Sequence, residues 1–169
     1  MLKLTLLLLV GALTTVAASP DADFKAAVVK HLKTSRDFTV KVADAMPAAD
    51  YDFKLTPPQM SFGQQLTHLS QGLSYFLSPF SGEKPGEAKP KSTAKADVVD
   101  FIKMSFDEAI AKVSKLTPEQ LAKSYKTSEG STDTGTDLLL GMLDHCTHHR
   151  ASAEMYLRAK GITPPEYQF

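Results

Sequence analysis

This chain of 169 residues predicts an all-α fold: an antiparallel four-helix bundle with one short extra helical turn and a long polar loop between the second and third helices. Three observations carry that expectation. Apolar residues recur at three- and four-residue steps in four separate stretches, the spacing that lines one face of a helix. Segments rich in Pro, Gly and Ser divide those stretches. No segment keeps the period-two alternation of a strand, and the length suits one domain.

The first 18 residues read as a secretory signal. Lys3 gives a short positive start, Leu4 to Leu13 form an apolar run of about ten residues, and Val16-Ala17-Ala18 supplies small residues ahead of a cut before Ser19. The run is shorter than the roughly 20 apolar residues of a spanning helix; an uncleaved anchor is the alternative. Residues 19–169 then form one helical-bundle domain that is periplasmic or secreted.

In the mature chain the first helix runs from Asp23 to Met46, with Phe24, Ala27, Val28, His31, Leu32, Ser35, Phe38, Val42 and Ala45 on its inner stripe. Pro47 ends it, and Thr56-Pro57-Pro58 holds the next stretch in a loop. Ser61-Phe62-Gly63-Gln64 is a capping-box pattern that opens a second helix with Phe62, Leu66, Leu69, Leu73, Phe76 and Leu77 inward, closed at Pro79. Ser81 to Lys95 carries no large apolar residue and reads as a solvated loop. The third helix presents Val98, Phe101, Ile102, Met104, Phe106, Ile110 and Val113. Thr117-Pro118-Glu119-Gln120 starts a short extra turn with proline in its first position. Ser128 to Thr136 is polar loop, and the last helix spans about Thr134 to Lys160 with Gly161 as its stop.

Charge and composition exclude several functions. Nineteen basic against nineteen acidic residues leave no basic stripe for nucleic acid and no polybasic membrane patch. One cysteine excludes a disulfide framework, and the absence of Trp weighs against a single-strand stacking platform.

The chemistry is concentrated in Asp144-His145-Cys146-Thr147-His148-His149-Arg150, which holds three of the five histidines. His145 and His149 are one turn apart and share a face. At about 100° per residue, His149 falls about 40° into the arc of Leu138, Met142, Cys146, Ala153 and Leu157, with His145 at its edge. His148 lies about 60° outside it, toward a neighbour or solvent. Two inward imidazoles at this spacing can share a metal ion, or pack as hydrogen-bonded core residues. There is no Glu-x-x-His for a di-iron site, no His-Glu-x-x-His and no Cys-x-x-Cys-His. A third ligand must come from another helix, and His68 is the candidate. Its own helix places it about 80° from the apolar arc, where it reads as a boundary residue sooner than a ligand. His31 reads as a core histidine, and Cys146 as a buried small hydrophobe sooner than a nucleophile. Asp144, Tyr75 and Ser152 are candidates for proton transfer or ligand support. Arg150 pairs with a carboxylate near the site or solvates its helix.

His68, His145-x-x-x-His149-Arg150 and the closing Gly161-Ile162-Thr163-Pro164-Pro165 together resemble the DinB-like superfamily of four-helix-bundle metalloproteins. Met46 to Lys54 and Met60-Ser61-Phe62-Gly63 fit the same pattern. The resemblance implies a divalent metal ion, zinc or nickel, held by His68, His145 and His149. Some members are thiol-dependent transferases or isomerases and many have no established activity; the open position that three histidines leave on a metal suits hydrolysis, or thiol or group transfer, on a small molecule. The family's common His-Arg-Gly-Gln run reads His149-Arg150-Ala151-Ser152 here, so one glutamine is missing. A non-catalytic metal- or ligand-binding bundle and a partner-binding module are the alternatives. No nucleic acid and no membrane, after signal cleavage, are expected as partners; a homodimer is left open.

Overall fold

The computed structural model describes residues 20–168 except 83, 86, 87, 128 and 129. The signal read at residues 1–18 therefore lies outside the described residues. Four long helices form the bundle: α1 (Pro20–Ala45), α2 (Phe62–Ser81), α3 (Lys95–Ser114) and α5 (Gly135–Ala159). The short α4 (Pro118–Ala122) and a ribbon of β1 (Ser124–Lys126) and β2 (Thr132–Thr134) lie between α3 and α5. The all-α bundle expected from periodicity is present. Among the described residues, no helix is long and apolar enough to cross a membrane.

Local signals set the helix ends. Ser61 caps α2, its hydroxyl accepting from Gln64 N–H while Gln64 Oε1 accepts from Ser61 N–H. Thr117 does the same for α4, with Pro118 at the first position, and Thr134 with Asp137 does so for α5. Gly82 (φ +71°) and Gly161 (φ +75°) adopt the left-handed conformation that stops α2 and follows α5.

Pro79 does not close α2, which runs on to Ser81. A proline there leaves the Tyr75 carbonyl without its usual N–H donor, and the Ser78 hydroxyl donates to that carbonyl at 2.8 Å instead. Some expected inner residues face outward: Met104 is 53% exposed and His31 is exposed rather than core. Ala27 is also exposed, because the buried strip of α1 follows Val28, Leu32, Phe38, Thr39, Val42 and Ala43. The ribbon was not legible, since three-residue strands, Ser124–Lys126 pairing antiparallel with Thr132–Thr134, are too short to show a period.

Around the bundle the neighbours run α1, α3, α2, α5, with α1 facing α2 and α3 facing α5 across the diagonals. Along α2 and α5, Gln65 meets His149 and Phe76 faces Gly141, so that pair is antiparallel. So is α1 with α3: Lys25 donates to Leu116 O, Arg36 pairs with Asp107, and Lys95 donates to Asp44 O. The other neighbours are parallel. Ser61 and Val98 line one cavity while Leu77 and Lys112 line another farther along, so α2 and α3 advance together. Ser35 meets Arg150, and Asp50 beyond α1 pairs with Lys160 just past α5. Only two of the four neighbouring pairs are thus antiparallel.

That topology explains the long polar loop. A parallel neighbour requires the chain to travel back along α2, whose 20 residues rise about 30 Å. Residues 82–94 reach at most about 43–47 Å when extended, enough for the return. Gln71 Nε2 donates to Ala88 O at 3.1 Å and holds the crossover against α2.

Replacing Thr134 with Ala removes a cap whose oxygen also anchors Asp137. We expect it to lower unfolding free energy by about 1 kcal/mol in urea titration, with the helical spectrum unchanged.

Candidate metal centre

α2 and α5 bring three histidines together at mid-bundle. His68 from α2 and His145 and His149 from α5 each offer one ring nitrogen, and all three nitrogens lie within 4.8 Å of one another. Among the described residues, no fourth His, Cys, Asp or Glu joins this group. His148 is exposed, as its phase on the helix requires, and its ring lies edge-on to His149 at 4.8 Å. His68 is half-buried, the boundary position its own helix suggests, and at that boundary it meets His145 and His149 of α5.

Gly72 makes the arrangement possible. A Cβ at that position would stand 3.0 Å from His145 Nε2 and closer still to Cε1 and Nδ1, so the imidazole occupies the space of a missing side chain. Phe76, one turn on, covers the same ring at 5.8 Å between centroids. Gly141 in turn leaves room for the Phe76 ring, which a Cβ there would meet at 2.9 Å.

The hydrogen bonding suits ligands better than packed core residues. His149 Nδ1 lies 2.7 Å from Gln65 Oε1, an acceptor, so Nδ1 carries the proton and Nε2 keeps its lone pair. His145 Nε2 lies 3.4 Å from His68 Nε2, long for a hydrogen bond, and its buried Nδ1 has no partner. Two nitrogens bound at 2.0–2.1 Å to one tetrahedral ion stand about 3.3–3.4 Å apart, so this pair has the separation of a shared coordination sphere. The sequence pattern does not single out Gln65. Its signal was its place one turn before His68 on the face toward α5.

Burial pulls the pKa of His145 down to about 4, with His68 and His148 adding to the effect. Burial likewise pulls His149 down to about 4, with His145, His68 and His148 contributing. Both rings are therefore neutral near pH 7, the form that donates a lone pair.

Cys146 is 1% exposed in the hydrophobic core, and burial pushes its thiol up to about 12; it is packing, as expected. Arg150 is 4% exposed, which overturns the solvated reading, and no carboxylate among the described residues forms an ion pair with it. It stacks over Phe38 at 4.7 Å and donates from Nη1 to Ser35 Oγ at 2.6 Å, since its helical phase turns it toward α1. Ser152 donates to His148 O, and Asp144 is exposed; neither reaches the cluster.

A cavity of about 510 Å³ adjoins the cluster, with His68 in its wall beside Gln64, Thr67 and Gln71 of α2 and Lys89 and Ser92 of the crossover.

The sequence profile of the DinB family matches residues 20–169. A DinB-like protein from Bacillus subtilis superposes with a TM-score of 0.72 at 25% identity, covering 84% of this chain and 97% of that one. A DinB-like protein from Bacillus cereus superposes at 0.71 with 20% identity, covering 85% and 97%. YfiT from Bacillus subtilis, a probable metal-dependent hydrolase with an unusual four-helix bundle topology, superposes at 0.67 with 14% identity, covering 88% and 93%. No functionally curated protein matches the sequence.

The histidine shifts set a pH dependence. Each ring protonates near 6.5 when unfolded and near 4 when folded, so the unfolded state takes up more protons between those values. Their contribution to stability is complete above pH 6.5 and is lost as pH falls toward 4. In metal-stripped protein, urea midpoints should drop from pH 7.5 to pH 5, and the drop should be smaller when His145 and His149 are both Ala.

Proposed function

The chain belongs to the DinB family, and we propose that His68, His145 and His149 hold one divalent cation, zinc or nickel, and that the protein uses it to hydrolyse a small polar molecule. The 3.4 Å separation of His68 Nε2 and His145 Nε2, inside a cluster of three ring nitrogens within 4.8 Å of one another, carries this reading. The description of YfiT as a probable metal-dependent hydrolase supports the choice of reaction.

Three protein ligands leave a coordination position for water or substrate, the pattern of catalytic rather than structural sites. A divalent ion bound there supplies Lewis acidity and lowers the pKa of a water or thiol. The chain's own residues do the rest. Gln65 fixes the tautomer of His149, Gly72 and Phe76 fix the plane of His145, and the low pKa values of both rings keep protons from competing near neutrality. The 510 Å³ cavity lies within the usual size range of small-molecule sites, and the amides and hydroxyls of Gln64, Thr67, Gln71 and Ser92 fit a substrate with several polar atoms. Thiol or group transfer is the related chemistry the same open position serves.

Export belongs to the proposal. Its support is Lys3, the apolar run Leu4–Leu13 and Ala18 before Ser19, and the family match that starts one residue beyond that cut. Outside the cytoplasm water is abundant and low-molecular-weight thiols are scarce, which favours hydrolysis. N-terminal sequencing of the exported protein should begin at Ser19.

The experiment is elemental analysis of untagged protein from Ser19 onward. About one divalent ion per chain is expected, lost in His149→Ala and in Gly72→Ala, whose new Cβ displaces His145, and kept in His148→Ala. Gln65→Leu should weaken affinity about 10- to 100-fold. No metal after reconstitution, or loss in His148→Ala but not in His149→Ala, would overturn the reading.

A further inference from the structure

Arg150 points away from the histidines, toward α1, and lines a separate cavity of about 120 Å³. His31, Thr34 and Ser35 of α1, Thr147 of α5 and Gln168 of the C-terminal segment share its walls. A guanidinium has five N–H donors and stays charged. Here, one donor reaches Ser35 Oγ and the face rests on Phe38. Glu154, one turn farther along α5, contributes an attractive charge, yet it forms no ion pair with Arg150. Arg150 is thus a cation 96% removed from solvent with no bonded anion among the described residues, and burying a charge is costly unless it is paired.

We propose that this cavity is a binding site for a small oxyanion, a phosphate or the carboxylate of a small organic acid, with Arg150 as its anchoring cation. The size, about 120 Å³, accommodates such a group. The wall chemistry fits as well: the hydroxyls of Thr34, Ser35 and Thr147 and the amide of Gln168 all have protons to donate, and among the described residues no carboxylate lines the cavity. His31, displaced from the core, stands exposed at the rim. The site is independent of metal binding, since Arg150 and His149 leave α5 in different directions.

The test titrates full-length protein with sodium phosphate or sodium acetate at constant ionic strength, balanced with chloride, and follows the Arg150 Nε–H resonance. A saturable shift is expected with at least one of the two, and the tighter arm identifies the source. Arg150→Met should abolish the accompanying rise in Tm. If that variant fails to fold, Arg150→Lys, which keeps the charge and loses the fork, should weaken binding about tenfold or more. The Arg150 shift should persist in His149→Ala, which separates it from binding at the histidines. No saturable shift with either anion, or a shift that disappears in His149→Ala, overturns the proposal.

Discussion

The approach of α2 to α5 governs the centre of this molecule, because the two helices meet over positions where one of them has no side chain. Gly72 on α2 gives its space to the His145 ring, and Gly141 on α5 gives its space to Phe76. Any larger residue at either place would part the helices or turn the rings. With the rings seated, His145, His149 and His68 come within reach of one another, and Gln65 meets His149. Backbone proximity sets the geometry, and the histidines inherit it.

The same contact accounts for the electrostatics. Partial withdrawal from water and the crowding of neighbouring imidazoles disfavour a proton on His145 and on His149. The cluster is thus prepared for a cation heavier than hydrogen. A fully dry site would make His145 and His149 hard to reach, but His68 borders a cavity open to small molecules. The opposite face of α5 has the reverse character, carrying the buried positive charge of Arg150 toward α1. One helix therefore presents lone pairs on one side and donors on the other.

Much of this was legible in the chain. The four helices follow from periodicity, and the caps at Ser61, Thr117 and Thr134 are local chemistry that needs no tertiary context. The inward phase of His145 and His149 and the outward phase of His148 follow from angle alone. His68 was legible only through resemblance, since a single helix does not reveal which neighbour lies beside its boundary. His31 and Met104 mislead for the same reason: a stripe is as wide as the helices around it, and sequence does not say that α1 faces α2 across a diagonal. Pro79 misleads because a neighbouring hydroxyl replaces the donor it lacks. Which helices lie side by side, and in which direction, is not written in any one of them, and the contacts of Gln65 and the Arg150 cavity depend on it.

The crossover from α2 to α3 follows from that parallelism. Because the chain must pass back along α2 to begin α3, residues 88–93 run beside His68 and form a wall of the cavity there. Connection and chamber are thus the same piece of chain. Substitutions in the crossover change the wall beside His68 while leaving the helices that hold the histidines untouched, so the chamber can vary without the centre being rebuilt.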